Sequence, residues 1–241
     1  QLGSYGKDLR RRYGLADVLA ALHDIDDIAR IRLSSIEPMD VPSNLIRAAA
    51  DLPKVARHFH IPLQSGSTEV LERMRRKYTR EEFLGLVAAL YEAMPDVGLT
   101  TDVMVGFPGE TDAEFEDTHR VVEKSAFHRL HVFRYSPREG TPAAAYPDQV
   151  PAHVAVERSK AVRGLGKRLE RQYQEASAGN VVEVMVEDTR EGPRAEYAGY
   201  AGNYLRVLTD AQDEDVGLLR RVELVDVEDG YMRGRLARHA G

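Results

Sequence analysis

Cysteine is missing from all 241 residues. No disulfide can form, no thiolate nucleophile exists, and the chain by itself builds no Cys-ligated zinc or iron–sulfur site. Lysine is scarce: of 33 basic residues only 6 are lysine. An arginine bias suits phosphate recognition, and a GC-rich genome produces the same bias. No stretch approaches the ~20 consecutive apolar residues that span a bilayer, and no charged-then-apolar leader precedes a small-residue cleavage site. The expectation is a cytoplasmic protein with no membrane partner. A positive global field is missing as well, because the net charge is −6, so nothing long-range draws nucleic acid in. An initiating methionine is also missing. The chain opens at Gln1, part-way through what reads as a strand-to-turn junction, and reads as a piece of something longer. What is present is ordinary globular composition, 43% hydrophobic and 30% charged, enough for one large domain or a medium and a small one.

Short β-branched runs alternate with longer helical patterns over the first two-thirds of the chain. The runs at 29–33, 58–63, 99–105 and 128–135 read as strands. Helices are expected around Pro42 to Asp51, over 68–74, from Thr79 to about Met94, over 111–124 and over 152–176. Thr79 with Glu82 has the spacing of a capping box. Strand alternating with helix predicts α/β architecture with a parallel sheet. The count is four whole units and a stub, too few for a closed barrel of eight, and reactive groups belong at the carboxyl ends of such strands. Beyond Gly179 the pattern changes to five short alternating strands, at 181–186, 196–200, 204–208, 222–227 and 231–236, separated by Gly, Asn and Asp. These predict a small antiparallel barrel. The expected division is 1–176 and 177–241.

Four strand-end loops carry candidate chemistry. Val105, Gly106, Phe107 and Pro108 lead through Gly109 and Glu110 to Thr111. Glycines there let backbone approach a ligand, and the next helix N-terminus favours an anionic group; a tight βα turn with Thr111 as cap explains the same residues. Gln64 and Ser65 end the second run and are able to hydrogen-bond a ligand. His58 and His60 share one sheet face, but no third metal ligand lies nearby in sequence, which favours core or rim histidines over a metal site. Glu37 before Pro38 suits a sugar hydroxyl, or a solvated turn. Neither Glu37 nor Glu110 has an evident partner. Tyr135 and Ser136 open a polar, rigid fourth loop. Arg73, Arg75, Arg76 and Lys77, beside Tyr78, form the densest basic cluster, suited to RNA backbone or to a solvated helix end. Together the four loops describe one ligand pocket across the mouth of a βα sheet.

The strings RIRLSSIEP (30–38), HIPLQSGS (60–67), TTDVMVGFPGET (100–111) and LHVFRYSPREGTPAA (130–144) resemble the radical S-adenosylmethionine methylthiotransferases, and most closely their MtaB-like branch, related to the MiaB and RimO enzymes. The resemblance covers nearly the whole chain. It implies a partial parallel (βα) radical-SAM barrel missing its first strands over 1–176, followed by an RNA-binding β-barrel of the TRAM type over 177–241. It implies an enzyme that converts N6-threonylcarbamoyladenosine beside the tRNA anticodon to its 2-methylthio form, with tRNA and S-adenosylmethionine as partners and no DNA. By resemblance Val105, Gly106, Phe107 and Pro108 pack on the adenosyl and methionyl parts of the cofactor. Ser35, Glu37 and Gln64 suit its polar groups, and Tyr135 and Ser136 meet the adenine. Arg73, Arg75, Arg76, Lys77 and Arg168 are the RNA-binding candidates. No side chain presents itself as acid, base or nucleophile.

The departure from the family pattern is large. Members hold two [4Fe–4S] clusters on cysteines, one in an N-terminal domain and one in a CxxxCxxC loop after the first barrel strand. Gln1 to Gly6 resembles the end of the second barrel strand, and none of those cysteines is here. A chain without thiolates ligates no such cluster and is expected to be inactive alone. Alternatives are a catalytically dead tRNA-binding module, the related isopentenyladenosine tRNA or ribosomal-protein methylthiotransferase, and a cofactor-independent βα enzyme, for which paired carboxylates or a mouth lysine are wanting. Residues 181–241 carry 8 basic and 13 acidic residues, so RNA contacts are expected on the basic segments elsewhere.

Overall fold

The computed structural model describes residues 2–6 and 13–237. Leu2–Ser4 forms a short 3₁₀ turn rather than a strand end; Gln1 lies outside the described residues. Helices α1 (Leu15–His23) and α2 (Ser43–Asp51) precede a three-stranded parallel sheet of β1 (His58–His60), β2 (Gly98–Val105) and β3 (Arg129–Arg134), in that spatial order. Helices α3 (Thr68–Arg73) and α4 (Arg80–Ala93) connect β1 to β2, and α5 (Asp112–Ser125) connects β2 to β3.

Local sequence explains these boundaries. Thr79 Oγ1 accepts from the Glu82 amide while the Glu82 carboxylate accepts from the Thr79 amide, and Thr111 with Glu114 repeats the motif. Each satisfies two orphan donors at a helix start, typically worth about 1 kcal/mol. Leu99, Val103 and Val105 are all 1% exposed or less, as expected for a central parallel strand covered on both faces.

One expected strand is not formed. Residues 29–33 make a single bridge, Ile31 to Val55. The partner segment breaks the ladder itself, because the His58 amide turns back onto the Ala56 carbonyl at 2.8 Å. Ile31 and Leu33 still bury their side chains, while the flanking Arg30 and Arg32 face the other way. Among the described residues the sheet therefore has three strands and two isolated bridges, Ile31 to Val55 and Gln64 to Val103, not four full units.

Helix α6 (Ala152–Ser177) packs along β3 and leads into β4 (Val181–Glu191), β5 (Glu196–Ala201), β6 (Arg206–Thr209), β7 (Leu219–Val227) and β8 (Met232–Leu236). These close into a barrel of order β4-β5-β6-β8-β7. The five expected strands are present, but closure is not wholly antiparallel: β6 and β8 run parallel. Closing the ring brings β8 back alongside β6 after the β7–β8 hairpin, and that order fixes the direction of the last pairing.

The barrel docks on the amino-terminal edge of the sheet. Arg30 donates to the Tyr200 and Glu183 carbonyls at 3.1 and 2.9 Å, and Arg32 to the Ala201 carbonyl at 3.0 Å. His58 stacks on Tyr204 with centroids 4.4 Å apart, and Tyr204 on Tyr200 at 4.6 Å. Gly98 is required there, since a Cβ would lie 2.0 Å from the Asn203 carbonyl oxygen.

Candidate cofactor cavity

The opposite, carboxyl-terminal edge of the sheet carries the site. Three backbone contacts set it out. The Gln64 amide donates to Asp102 O at 2.8 Å, the Met104 amide to Gln64 O at 2.8 Å, and the Tyr135 amide to Val105 O at 2.9 Å. Gln64, Met104 and Tyr135 therefore stand side by side on neighbouring chain segments. Gln64 has φ 61°, a left-handed conformation that ends the extended run there. The cavity at this edge has a volume of about 530 Å³. Met74, Met104, Phe107 and Tyr146 give it apolar walls, and Gln64 and Ser136 give it polar groups. Phe107 packs edge-on against Tyr135 and Tyr146, at 5.2 and 6.2 Å between centroids. The Tyr135 hydroxyl is buried and has no hydrogen-bond partner among the described residues.

The turn behind Phe107 is fixed by a buried ion pair between residues 48 positions apart, which leaves no local sequence pattern. Glu110 Oε2 accepts from the Gly106 amide at 2.7 Å and from Arg158 Nη1 of α6 at 2.7 Å. The Glu110 side chain has no exposure and that of Arg158 has 7%. Burial pushes the Glu110 carboxyl above its ordinary range, opposed by the Gly106 amide and the Arg158 guanidinium. Gly106 has φ 75°, and a Cβ would sit 2.8 Å from Ala155 Cβ, so this turn admits only glycine without rearrangement.

The expected cofactor residues divide between wall and support. Gln64, Phe107, Tyr135 and Ser136 line the cavity. Val105, Gly106 and Pro108 are buried behind it. Ser35 is exposed and not on its wall. Glu37 is held by Arg76 Nη1 at 3.1 and 3.2 Å, so both mouth carboxylates, Glu37 and Glu110, have arginine partners rather than none. The basic cluster is likewise split. Arg73 and Arg76 act as internal clamps, Arg73 on Glu114 and the Gly109 carbonyl, while Arg75 and Lys77 are exposed without ion pairs among the described residues. Arg73, Arg75 and Arg76 also line the cavity. Arg168 lies on α6, paired with Glu123 at 2.7 Å. His58 and His60 both bond the Thr100 hydroxyl, at 3.0 and 2.9 Å. Met104, Tyr146 and Arg158 were not singled out from sequence; their contacts to the site cross loops and long sequence separations that leave no local pattern.

The radical SAM superfamily profile matches residues 4–122, the segment that holds β1 and β2 and the loops carrying Gln64 and Phe107, which gives the class there as a radical SAM domain. A tRNA-2-methylthio-N(6)-dimethylallyladenosine synthase of Acetivibrio thermocellus is 38% identical over 237 residues, which is 98% of this chain and 49% of that protein. The threonylcarbamoyladenosine tRNA methylthiotransferase MtaB of Bacillus subtilis is 37% identical over 239 residues, 98% of this chain and 53% of that protein. Among solved structures, coproporphyrinogen III oxidase (HemN) of Escherichia coli, a radical SAM enzyme, is 16% identical with a TM-score of 0.48, over 58% of this chain and 32% of that one. The chain is similar to tRNA methylthiotransferases over 98% of its own length. It spans about half the length of the curated relatives it matches.

Proposed function

We propose that this protein is the cofactor-holding and RNA-contacting part of a cytoplasmic tRNA methylthiotransferase whose substrate is N6-threonylcarbamoyladenosine beside the anticodon. The observation that carries the reading is the convergence of Gln64, Phe107, Tyr135 and Ser136, from three separate strand ends, on one largely apolar cavity. Residues 1–176 are the catalytic unit and 177–241 an RNA-binding barrel of the TRAM type. Among the basic candidates, Arg75 and Lys77 are the ones free to meet phosphate.

The residues present fit S-adenosylmethionine. A cavity of about 530 Å³ lies in the range of small-molecule sites, its aromatic and methionine walls suit an adenine face, and the unpartnered Tyr135 hydroxyl offers a hydrogen bond. When bound, the cofactor supplies a sulfonium whose carbon–sulfur bonds are open to reductive cleavage or methyl transfer. The chain's part is to bind and orient it: Phe107 and Tyr146 would wall the adenine, Gln64 and Ser136 would offer hydrogen bonds to its polar groups, and the Glu110–Arg158 pair holds the Gly106 turn. For an iron–sulfur cluster the residues do not fit. There is no cysteine, and no group of three His, Asp or Glu among the described residues is placed to hold a metal. The polypeptide alone is therefore inactive, and turnover after adding iron, sulfide and reductant to it would overturn that statement.

The test is the modified-nucleoside content of tRNA from the source organism with and without the gene. Loss of 2-methylthio-N6-threonylcarbamoyladenosine supports the reading. Loss of the dimethylallyladenosine derivative instead moves the protein to the other branch, and no change at all leaves a binding module without chemistry.

A further inference from the structure

The cavity and the barrel occupy opposite ends of the sheet, and one helix runs between them. Near its start, α6 touches the cavity turn: Ala155 faces Gly106 and Arg158 holds Glu110. Near its end Tyr173 links the α4–β2 loop to the barrel, donating to Asp96 O at 2.9 Å and accepting from Asn203 Nδ2 of the barrel at 2.9 Å. With 26 residues at about 1.5 Å each, α6 bridges roughly 39 Å. Its solvent face carries Lys160, Arg163 and Lys167, spaced three and four apart and therefore on one stripe.

This stripe differs from the other charges of the helix. Arg158 is buried in its ion pair, Arg168 is tied to Glu123 and Arg171 to Glu175. Lys160 and Lys167 make no ion pair among the described residues, Lys167 feeling only the longer-range field of Glu170. Arg163 spends one donor on the Val132 carbonyl at 3.0 Å and keeps the rest. Together with Arg134 at the end of β3 they line an open groove of about 400 Å³. Arg134 and Arg163 also line an adjoining groove of about 570 Å³ that shares Phe133, Tyr135 and Ser136 with the cavity wall. Phe133 is 51% exposed there, an aromatic face beside a basic track, the combination that suits single-stranded nucleic acid. The barrel itself is net acidic, with 8 basic against 13 acidic residues over 181–241.

We propose that the Lys160–Arg163–Lys167 stripe with Arg134 is an RNA-backbone track that carries phosphates along α6 to the cavity mouth at Phe133 and Ser136. The proposal rests on the tRNA reading above and says which surface of this chain the RNA follows. Each phosphate neutralised contributes about 0.7 to 0.9 to the slope of log affinity against log salt, so each contact is worth roughly five- to eightfold between 1 M and 0.1 M salt.

The test is fluorescence anisotropy of labelled bulk bacterial tRNA titrated with the chain across a salt series. Lys160→Gln with Lys167→Gln, both exposed helix positions where glutamine has near-equal helix propensity, is expected to weaken binding more than about tenfold at 0.1 M salt and to lower the slope by about 1.4 to 1.8. Arg171→Gln, already tied to Glu175, is expected to change the slope much less. Binding by the unaltered chain that the double substitution leaves unchanged overturns the track alone. Absence of tRNA binding by the unaltered chain at low salt overturns the track together with the tRNA reading.

Discussion

Replacing Arg158 with methionine removes the cationic partner of a carboxylate that has no solvent exposure. Methionine keeps most of the aliphatic stem, so the perturbation is chiefly electrostatic. Two further contacts go with it, Arg158 Nη1 to Glu110 O at 2.9 Å and Nη2 to Asp112 Oδ1 at 2.7 Å. Breaking a buried pair from one side costs about 3–5 kcal/mol. The electrostatic part has a ceiling, because Glu110 will protonate instead of staying charged, and protonating an ordinary glutamate at pH 7 costs about 3.7 kcal/mol. The expected loss is therefore about 3–4 kcal/mol at pH 7. The sign with pH follows from the direction of the shift. Burial already raises the Glu110 carboxyl, and losing Arg158 raises it further. A carboxyl raised on folding destabilises above its unfolded pKa, and that penalty fades as pH falls toward it. At pH 5 the ceiling drops to about 1 kcal/mol. The assay is urea unfolding followed by far-UV circular dichroism at both pH values. Adding Glu110→Gln to Arg158→Met should recover most of the loss at pH 7. A loss below about 1 kcal/mol at pH 7, or the same loss at pH 7 and pH 5, would refute the reasoning.

Four other outcomes follow from the same geometry. Tyr135→Phe removes a hydroxyl without a protein partner, so unfolding free energy should stay within about 0.5 kcal/mol while S-adenosylmethionine affinity, read by equilibrium dialysis, falls about two- to tenfold; an unchanged affinity contradicts the assignment. Gly98→Ala puts a Cβ 2.0 Å from the Asn203 carbonyl, so limited proteolysis should cut the 177–181 junction faster than in the parent, and equal rates would mean the seam tolerates the shift. Burial lowers His58 to about 2 and His128 to about 4. The stability these neutral imidazoles supply is complete above about pH 6.5 and is lost progressively as pH falls toward 4 and below, which tyrosine fluorescence of the Tyr200–Tyr204 stack should follow, in contrast to a His128→Phe variant with a shallower decline. Thr79→Ala should cost about 1 kcal/mol by thermal melting, and no loss would mean that α4 does not depend on its cap.

The parts of the fold that were legible in sequence are those with short-range causes. Thr79 with Glu82 announces its helix because donor and acceptor lie three residues apart, and Thr111, expected as a cap, forms the same box with Glu114. The run at 99–105 and the five barrel strands follow from period and turn residues. What was not legible depends on contacts across long sequence separations. Residues 29–33 have the composition of a strand, yet their ladder fails because of a turn at Ala56 and His58 in another segment. Arg30 and Arg32 read as ordinary alternation until Tyr200 and Ala201, about 170 residues away, accept their hydrogen bonds. The parallel β6–β8 closure is a property of the whole ring. In the site, Gln64, Phe107, Tyr135 and Ser136 were legible through strand-end position and family resemblance. Met104 was hidden within a strand, Tyr146 within a loop, and Arg158 within a helix otherwise rich in surface charge. The cluster at 73–77 was legible as charge, but its division into clamps and free residues was not, because the carboxylates that take Arg73 and Arg76 lie 41 and 39 residues away.

The cavity assignment is open to one direct measurement. Of the six methionines, Met74 and Met104 line the cavity, Met94 is sealed in the core, Met185 and Met232 belong to the barrel, and Met39 is exposed near α2. Titrating unlabelled S-adenosylmethionine into protein labelled with ¹³C at the methionine methyls should shift the Met74 and Met104 resonances together, saturably, and leave the other four in place. Spectra in which Met74 and Met104 do not move at millimolar cofactor, or in which the barrel methionines move instead, would contradict the claim that these strand ends build the cofactor site.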